Sequence, residues 1–443
     1  MTDLLLGIDV GTSFCKAAVL DLDGAELAHG QVPTPWQTVP SGAQADPDGL
    51  FRAAADAANQ AIESGPDGRI AAIGVTSMAE AGVLLDGAGA ILHPAVAWYD
   101  ARGDGEARLL ARELHDFVER TGLPASPLCT LAKLRHLGTD GANRWLNVAE
   151  WVVHRLGGRQ VSELSLASRT GLLDLDTQRP YDDALEWAGL PADVLAERVT
   201  GDTDAGRSDG AAIPGTEGAT LTVAGHDHLV AGVGVGVVAP GDVLDSCGTA
   251  EALVRVVAPP LGEPARRRVV DAGMSVGWHV IAGRQALLAG LWSGMSLHEV
   301  LAALGVDEAG RDELDAGALA IAPGDAPALE LPLHELERRE LQLPQAPPAA
   351  IWRAAIDAVA NEVERNIAAI DAIAGPHTKV VVTGGWARDR AVRETKRRLG
   401  AIDTPAIVEA GCRGAALLAG VAAGAYPSAD ELPAVRHTAK EPA

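Results

Sequence analysis

Cysteine is scarce. The 443-residue chain has four, Cys15, Cys129, Cys247 and Cys412, far apart and in no Cys-x-x-Cys or Cys/His arrangement. That spacing excludes a zinc-ribbon type of site and a disulfide scaffold, and makes a reducing cytoplasm the expected compartment. Long apolar runs are missing as well. Nothing approaches the roughly 18 uninterrupted apolar residues of a membrane span. The opening MTDLLLGIDV sets Asp3 and Asp9 in a very short apolar run, unlike a signal peptide. Positive charge is the third shortage: 36 Lys and Arg stand against 60 Asp and Glu, for a formal net charge of −24. The one basic cluster, Arg266 to Arg268, is too short to track a phosphate backbone, so nucleic acid is not an expected partner. A P-loop is absent too, since no GxxxxGK[ST] occurs.

What remains is a globular balance of 47% hydrophobic and 22% charged residues, enough for two domains of roughly 200 residues each. Short apolar runs at Leu4 to Ile8, Ala18 to Leu20 and Leu27 to Val32, separated by DVGTS and Asp23-Gly24, predict a β-meander. Asp46-Pro47 has N-cap and N1 chemistry and predicts a helix to Ser64. Strands are expected at Ile70 to Val75 and Gly82 to Leu85. The middle, from Thr121 to about Gly218, reads as helices and loops, with Trp145 to Leu156 as one helix. From Gly241, GDVLDSCGTAEALVRVV echoes the opening DVGTSFCKAAVLD, which suggests two halves built on one α/β unit. Ile356, Val359, Val363, Ile367 and Ile370 recur at helical spacing and predict a helix over Pro348 to Ala374, stopped by Gly375-Pro376. A buried-type strand at Lys379 to Thr383, a helix through Arg398, a strand at Ala406 to Val408 and a helix from Gly414 to Ala423 complete the pattern. A loosely ordered tail is expected over 428–443.

Four stations can carry chemistry. In GIDVGTSFCKAAVLD, residues 7 to 21, Asp9 leaves a buried strand just before Gly11, Thr12 and Ser13. A carboxylate there suits Mg²⁺ held through water beside phosphates that the backbone contacts, with Lys16 adding a positive charge. A tight hairpin turn is the other reading of the same residues. In AGHDHLVAG, residues 224 to 232, Asp227 could take the proton of an alcohol as it attacks a γ-phosphate. It could equally cap a helix, and His226 and His228 lack the further ligands a metal would need. In DSCGTAEA, residues 245 to 252, Gly248 and Thr249 form a second small-residue turn. In VVVTGGWARDRAVRETKRRLG, residues 380 to 400, a strand runs into Gly384 and Gly385, where backbone can approach a nucleotide; EAGCRGAALLAG, residues 409 to 420, comes after it.

These stations, in this order, resemble the FGGY carbohydrate kinases of the actin, hexokinase and heat-shock ATPase superfamily, from about Leu4 to about Tyr426. The resemblance implies an α/β fold of two ribonuclease-H-like (actin-like ATPase) domains with an interdomain cleft. Residues 1–238 would carry the sugar site and the first phosphate motif, and 239–427 the nucleotide site. It implies ATP and Mg²⁺ as cofactors, with Asp227 as the base and Asp9 on Mg²⁺ through water. Gly11, Thr12, Ser13, Lys16, Gly248 and Thr249 would lie along the phosphates, and Gly384 and Gly385 would face the adenosine. On the sugar side, GVTSMAEAGVLLD and AWYDAR align Met78, Glu80, Trp98 and Asp100 with substrate-binding positions. Ala79 stands where glycerol kinases of the family have arginine, which argues against glycerol. Glu80 and Asp100, taken as open acceptors, argue for a neutral polyhydroxy ligand over a sugar acid. The expected activity is phosphorylation of a ketose or polyol, a pentulose such as xylulose first, with glycerol, erythritol or a hexulose as alternatives. A sugar- and nucleotide-binding sensor of the same fold is the competing class. The expected partner is a small-molecule sugar or polyol, with no nucleic acid and no membrane; a homodimer is an option.

Overall fold

Along Asp3–Val10 the side chains alternate: Leu4, Leu6, Ile8 and Val10 face one apolar layer and Leu5 the other, and all are buried. A strand covered on both faces belongs at the centre of a layered α/β sheet, and that is where the computed structural model puts it. The structure describes residues 2–307, 309–322, 324–334 and 341–435.

The chain forms two compact units. The first comprises Met1–Ala239, Val256–Ala286 and Glu409–Val435; the second comprises Pro240–Arg255 and Leu287–Val408. In the first, Asp3–Val10 pairs antiparallel with Phe14–Leu20, which pairs antiparallel with Glu26–Pro33. On its other side Asp3–Val10 pairs parallel with Arg69–Ser77, and that strand pairs parallel with Thr220–His226. Helix Pro47–Ser64 covers one face; its N-cap Asp46 accepts the Asp48 N–H, with Pro47 in the first turn. Helix Ala410–Ala422 covers the other. It lies so close that a Cβ on Gly7 or Gly74 would overlap the backbone of Cys412 or Ala415, so both positions need glycine.

The second unit repeats the plan. Asp242–Cys247 pairs antiparallel with Glu251–Val257 and parallel with Lys379–Thr383, which pairs parallel with Ile402–Asp403. Strand Gln285–Leu291 lies beyond Glu251–Val257. Read from one edge, the two sheets agree over five positions, two parallel strands, the first hairpin strand, the second hairpin strand and one strand more, and the second sheet adds Ser275–Trp278 at its far edge. The echo between the two Gly-Thr turns therefore reflects a shared topology.

The structure departs from the sequence-based expectations in four places. The first unit takes back 256–286 and 409–435, so no single cut at 238 divides the chain; the close seat of Ala410–Ala422 on the first sheet is the physical reason. Trp145 to Leu156 is not one helix. Ala142–Asn147 is a strand and Val148–Arg155 a helix, divided at Asn147, where a capping box with Glu150 starts the helix. The strand placed at Ala406 to Val408 is instead Ile402–Asp403. Residues 428–435 are held: Ala429 is buried, and Arg413 bonds the Pro433 carbonyl while Arg284 pairs with Asp430. Residues 436–443 lie outside the described residues.

Candidate active site

Asp3–Val10, Arg69–Ser77 and Thr220–His226 are parallel neighbours, with Asp9 opposite Thr76 and Ser77 opposite His226. All three end at the same edge of the sheet. The chain leaves them there as Gly11–Ser13, Met78–Ala81 and Asp227–His228, respectively. Thr76 Oγ1 donates to the Gly225 carbonyl at 2.7 Å and Ser165 Oγ accepts the His226 N–H at 2.9 Å, which together fix the start of the histidine-flanked segment.

Asp227 opens the helix Asp227–Gly234, whose N-cap is His226, so the helix-cap role is not its own. Its Oδ1 accepts the His228 N–H at 2.7 Å and faces His226 Nε2 at 3.3 Å. Burial pushes its carboxyl up to about 7, with the nearby Glu80 charge adding and the His228 bond opposing. Asp9 is more extreme. Its Oδ1 is buried with no hydrogen-bond partner, and burial followed by the Asp227 charge pushes it up to about 8, although Lys16 pulls the other way. Lys16 is itself committed to Glu409 Oε2 at 2.9 Å. Two buried carboxylates thus repel one another, and their nearest cation is already paired. Burial holds His228 down to about 4 and His226 well below its usual range, so both are neutral rings.

The Gly11–Ser13 turn is closed by Gly11 N–H donating to the Phe14 carbonyl at 3.1 Å. Thr34 Oγ1, Trp36 Nε1 and the Thr34 N–H take the carbonyls of Gly11, Thr12 and Ser13. No acceptor among the described residues takes the amides of Thr12 and Ser13, so those two donors remain available to an anion. Trp98 Nε1 donates to Thr12 Oγ1 at 2.8 Å, which ties the AWYDAR segment to this turn.

Glu80 has a backbone φ of 59°, a left-handed conformation unusual for a side-chain-bearing residue and a mark of local strain. Arg169 Nε donates to its Oε1 at 2.6 Å, and Arg169 Nη1 donates to Ser275 Oγ at 2.6 Å. Met78 is buried and bonds the Val10 carbonyl through its N–H. Asp100 faces inward. Its oxygens accept the Ala43 N–H, the Arg102 N–H and the Arg102 guanidinium, and its side chain is fully buried. That saturation leaves it no acceptor for a substrate hydroxyl and gives it the task of holding the segment that carries Trp98. Lys133, which no motif announced, is buried beside Glu80 and donates to the Trp98 carbonyl at 2.6 Å; burial holds it down to about 8.

In the second unit, Gly384 has φ 96° and packs against the Cys247 backbone, where a Cβ would overlap, while Gly385 faces open space. Gly294, in helix Ser293–Leu304, sits equally tightly on the Gly248 carbonyl, and the Met295 N–H bonds the Thr249 carbonyl. Asp245, Cys247 and Glu251 cluster below that turn, with the Lys396 ammonium at 2.5 Å from Asp245 Oδ2, 2.5 Å from Glu251 Oε1 and 3.1 Å from Cys247 Sγ. All four cysteines are free and buried.

Residues 4–234 match the family model described as the N-terminal domain of the FGGY family of carbohydrate kinases. The chain belongs to the FGGY family. Relatives extend along almost its whole length. A gluconokinase of Bacillus subtilis is 26% identical, covering 97% of this chain and 90% of its own. A glycerol kinase of Methylobacterium nodulans is 28% identical, covering 96% and 91%. Among solved structures, the xylulose kinase of Rhodospirillum rubrum superposes with a TM-score of 0.84 at 22% identity, covering 99% of this chain and 93% of that one. As an FGGY carbohydrate kinase the protein is a phosphotransferase that uses ATP and a sugar-type small molecule, on a fold of two actin-like ATPase domains. No helix among the described residues is long and apolar enough to cross a membrane.

Proposed function

We propose that this FGGY kinase moves the γ-phosphoryl group of ATP to a hydroxyl of a polyhydroxy acceptor, with Asp227 as the base that takes the hydroxyl proton. The observation that carries this reading is the pair of buried carboxylates at one sheet edge, Asp9 with an unbonded Oδ1 and Asp227 raised to about 7. A carboxyl poised near neutrality suits proton transfer at physiological pH. An orphaned buried carboxylate oxygen beside a second carboxylate fits a divalent cation, so Asp9 is the residue that would hold Mg²⁺. Bound there, Mg²⁺ would neutralise charge on the transferring phosphates.

The chain's own groups supply the rest. The Thr12 and Ser13 amides donate to phosphate oxygens, and Lys16, held by Glu409, adds a fixed positive charge. Gly248 and Thr249 form the matching turn in the second unit, and Gly384 and Gly385 give an adenosine a backbone surface without a Cβ. Met78, Glu80 and Trp98 line the acceptor side, while Asp100 supports it from beneath.

The expectation of a neutral pentulose such as xylulose over a sugar acid depended on open carboxylates at Glu80 and Asp100. Both are paired with arginine, so that preference loses its physical basis. The test is ATP consumption with Mg²⁺ against pentuloses, hexuloses, alditols, glycerol and aldonates. Acceptor-dependent ADP formation supports the reading. ADP formation that no polyhydroxy compound stimulates removes it.

A further inference from the structure

Asp227 supplies the third ligand that the spacing of its two flanking histidines did not announce. One ligand atom from each of His226, Asp227 and His228 lies within 4.8 Å of the others. His226 Nε2 faces Asp227 Oδ1 at 3.3 Å, beyond the usual range of an N–H···O bond. Ligands held about 2.0–2.1 Å from a tetrahedral metal ion stand about 3.3 Å from one another, so this pair already has that spacing. The two imidazoles fit the same picture. Their centroids are 5.5 Å apart with the ring planes at 75°. Two rings on one such ion would stand about 5 Å apart.

The surroundings leave these ligand positions open. His226 is buried, and its Nδ1 has no hydrogen-bond partner. The ring nitrogens of His228 bond no group among the described residues. Burial keeps both rings neutral, the form that ligates a metal. Glu163 lies against Gly225, the residue before His226: its Oε2 accepts the Ser165 hydroxyl and would touch a Cβ on Gly225, while its Oε1 is buried without a partner. Ligating histidines commonly donate their second N–H to a carboxylate of this kind. Nor does the local charge repel a cation. Arg169, which acts on both rings, is paired with Glu80, Lys16 is paired with Glu409, and Asp9 adds a second carboxyl beside Asp227.

We propose that His226, Asp227 and His228 form a metal site distinct from the Mg²⁺ position at Asp9, that it takes a divalent ion of the zinc class, and that the bound ion switches the kinase off. Two imidazoles and one carboxylate suit Zn²⁺, whereas Mg²⁺ prefers oxygen ligands. Three protein ligands leave a fourth position for water. An ion held there occupies the carboxylate that takes the acceptor's proton, so the inhibition rests on the reading of Asp227 as base, while the binding does not.

The experiment dialyses the protein against free Zn²⁺ fixed by a metal buffer, in excess Mg²⁺ and without nucleotide. Acceptor-dependent ADP formation is then measured over the same Zn²⁺ range, each protein being compared with its own rate without Zn²⁺. Wild type is expected to hold about one Zn²⁺ per chain and to lose activity as the ion binds. His228→Gln keeps the backbone N–H that Asp227 accepts and loses one ligand. Its Zn²⁺ affinity should fall by more than about 10-fold, since loss of an outer partner alone costs about 10–100-fold, and its inhibition should shift with the affinity. No Zn²⁺ on wild type overturns the proposal, and so does equal binding by His228→Gln, which would place the ion elsewhere. Binding that needs His228 but leaves the rate unchanged keeps the ion site and removes Asp227 from the role of base. If wild type turns over no acceptor, the kinase reading falls and dialysis still decides the site. Should His228→Gln not fold, Co²⁺ bound to wild type decides: visible bands without sulfur-to-metal charge transfer support nitrogen and oxygen ligands, and charge-transfer bands place the ion on a thiolate and overturn the proposal.

Discussion

The two units use one strand order and place a Gly-Thr turn between the same pair of hairpin strands, but they treat the charge beside that turn in opposite ways. In the first, Asp9 is buried with an unbonded oxygen, next to Asp227, with Lys16 diverted to Glu409. In the second, Asp245 and Glu251 bracket the turn and the buried Lys396 ammonium sits between them at 2.5 Å from each. One turn is left electrostatically open, and the other is closed from within. The same backbone device thus stands beside an unbonded carboxylate oxygen in one unit and, in the other, beside carboxylates paired by a lysine of the same unit. Burying a charge without a partner costs several kcal/mol, and Asp9 avoids that cost by holding its proton up to about pH 8.

The sharpest way to break this comparison is to remove the reacting charge. Asp227→Asn keeps the shape and loses the proton acceptor, so kcat should fall by about 10²–10⁴-fold with the KM for ATP little changed. Near-normal kcat, measured where chemistry limits turnover, would refute the assignment. Next in size is Lys396→Met, which leaves Asp245 and Glu251 buried without their cation. The cost should be about 3–5 kcal/mol in chemical denaturation, the range for one partner removed from a buried ion pair. A loss below about 1 kcal/mol would mean that the second turn is not closed by this network.

A smaller effect distinguishes the turns by pH. Asp9 and Asp227 have folded values of about 8 and about 7, above the ordinary carboxylate range, so these two groups bind more protons in the folded protein than in the unfolded one between about pH 4 and 8. Stability in chelator should therefore decrease as pH rises through that window, and Asp9→Asn should flatten the slope. With Mg²⁺ the decrease should be reduced. An Asp9→Asn protein with the same pH slope in chelator as wild type would contradict the open state of the first turn. The smallest effect is expected at the thiols. Cys15, Cys247 and Cys412 are buried and exposed by no more than 2%, so alkylation of the native protein should be slow and the same with or without MgATP. Protection by nucleotide would place a thiol against the ligand.

Much of the fold could be read from local pattern because local rules set it. Asp46-Pro47 begins a helix through its own chemistry, and the apolar spacing from Ile356 to Ile370 marks one face of Pro348–Ala374. The stations around Asp9 and Asp227 were legible because a carboxylate next to small residues at a strand end is a local arrangement. Their electrostatic completion was not. Lys16 meets Glu409 across 393 positions, Arg169 meets Glu80 across 89 and Lys396 meets Asp245 across 151. No spacing rule links residues so far apart. Asp100 shows the converse: its motif was visible, but the saturation of its oxygens by Ala43 and Arg102 required the three-dimensional contacts. Asn147 was hidden for a local reason, since one apolar stretch, Trp145 to Leu156, hides the change from a two-residue to a 3.6-residue repeat.

The seat of Ala410–Ala422 on the first sheet has a bearing on synthesis. Leu5, Ala18, Leu20 and Ala72 are made early, and the residues that bury them, Cys412, Ala416, Leu417, Ala419 and Tyr426, are made some 340 positions or more later. While a ribosome is still translating the second unit, one face of the first sheet stays uncovered. Closing it is a contact of very high sequence separation, slow to form because the loop entropy is met before the apolar burial repays it. A nascent chain stalled before Glu409 would present that bare face to its neighbours on a polysome, and its aggregation would be seeded by the strands nearest the N-terminus.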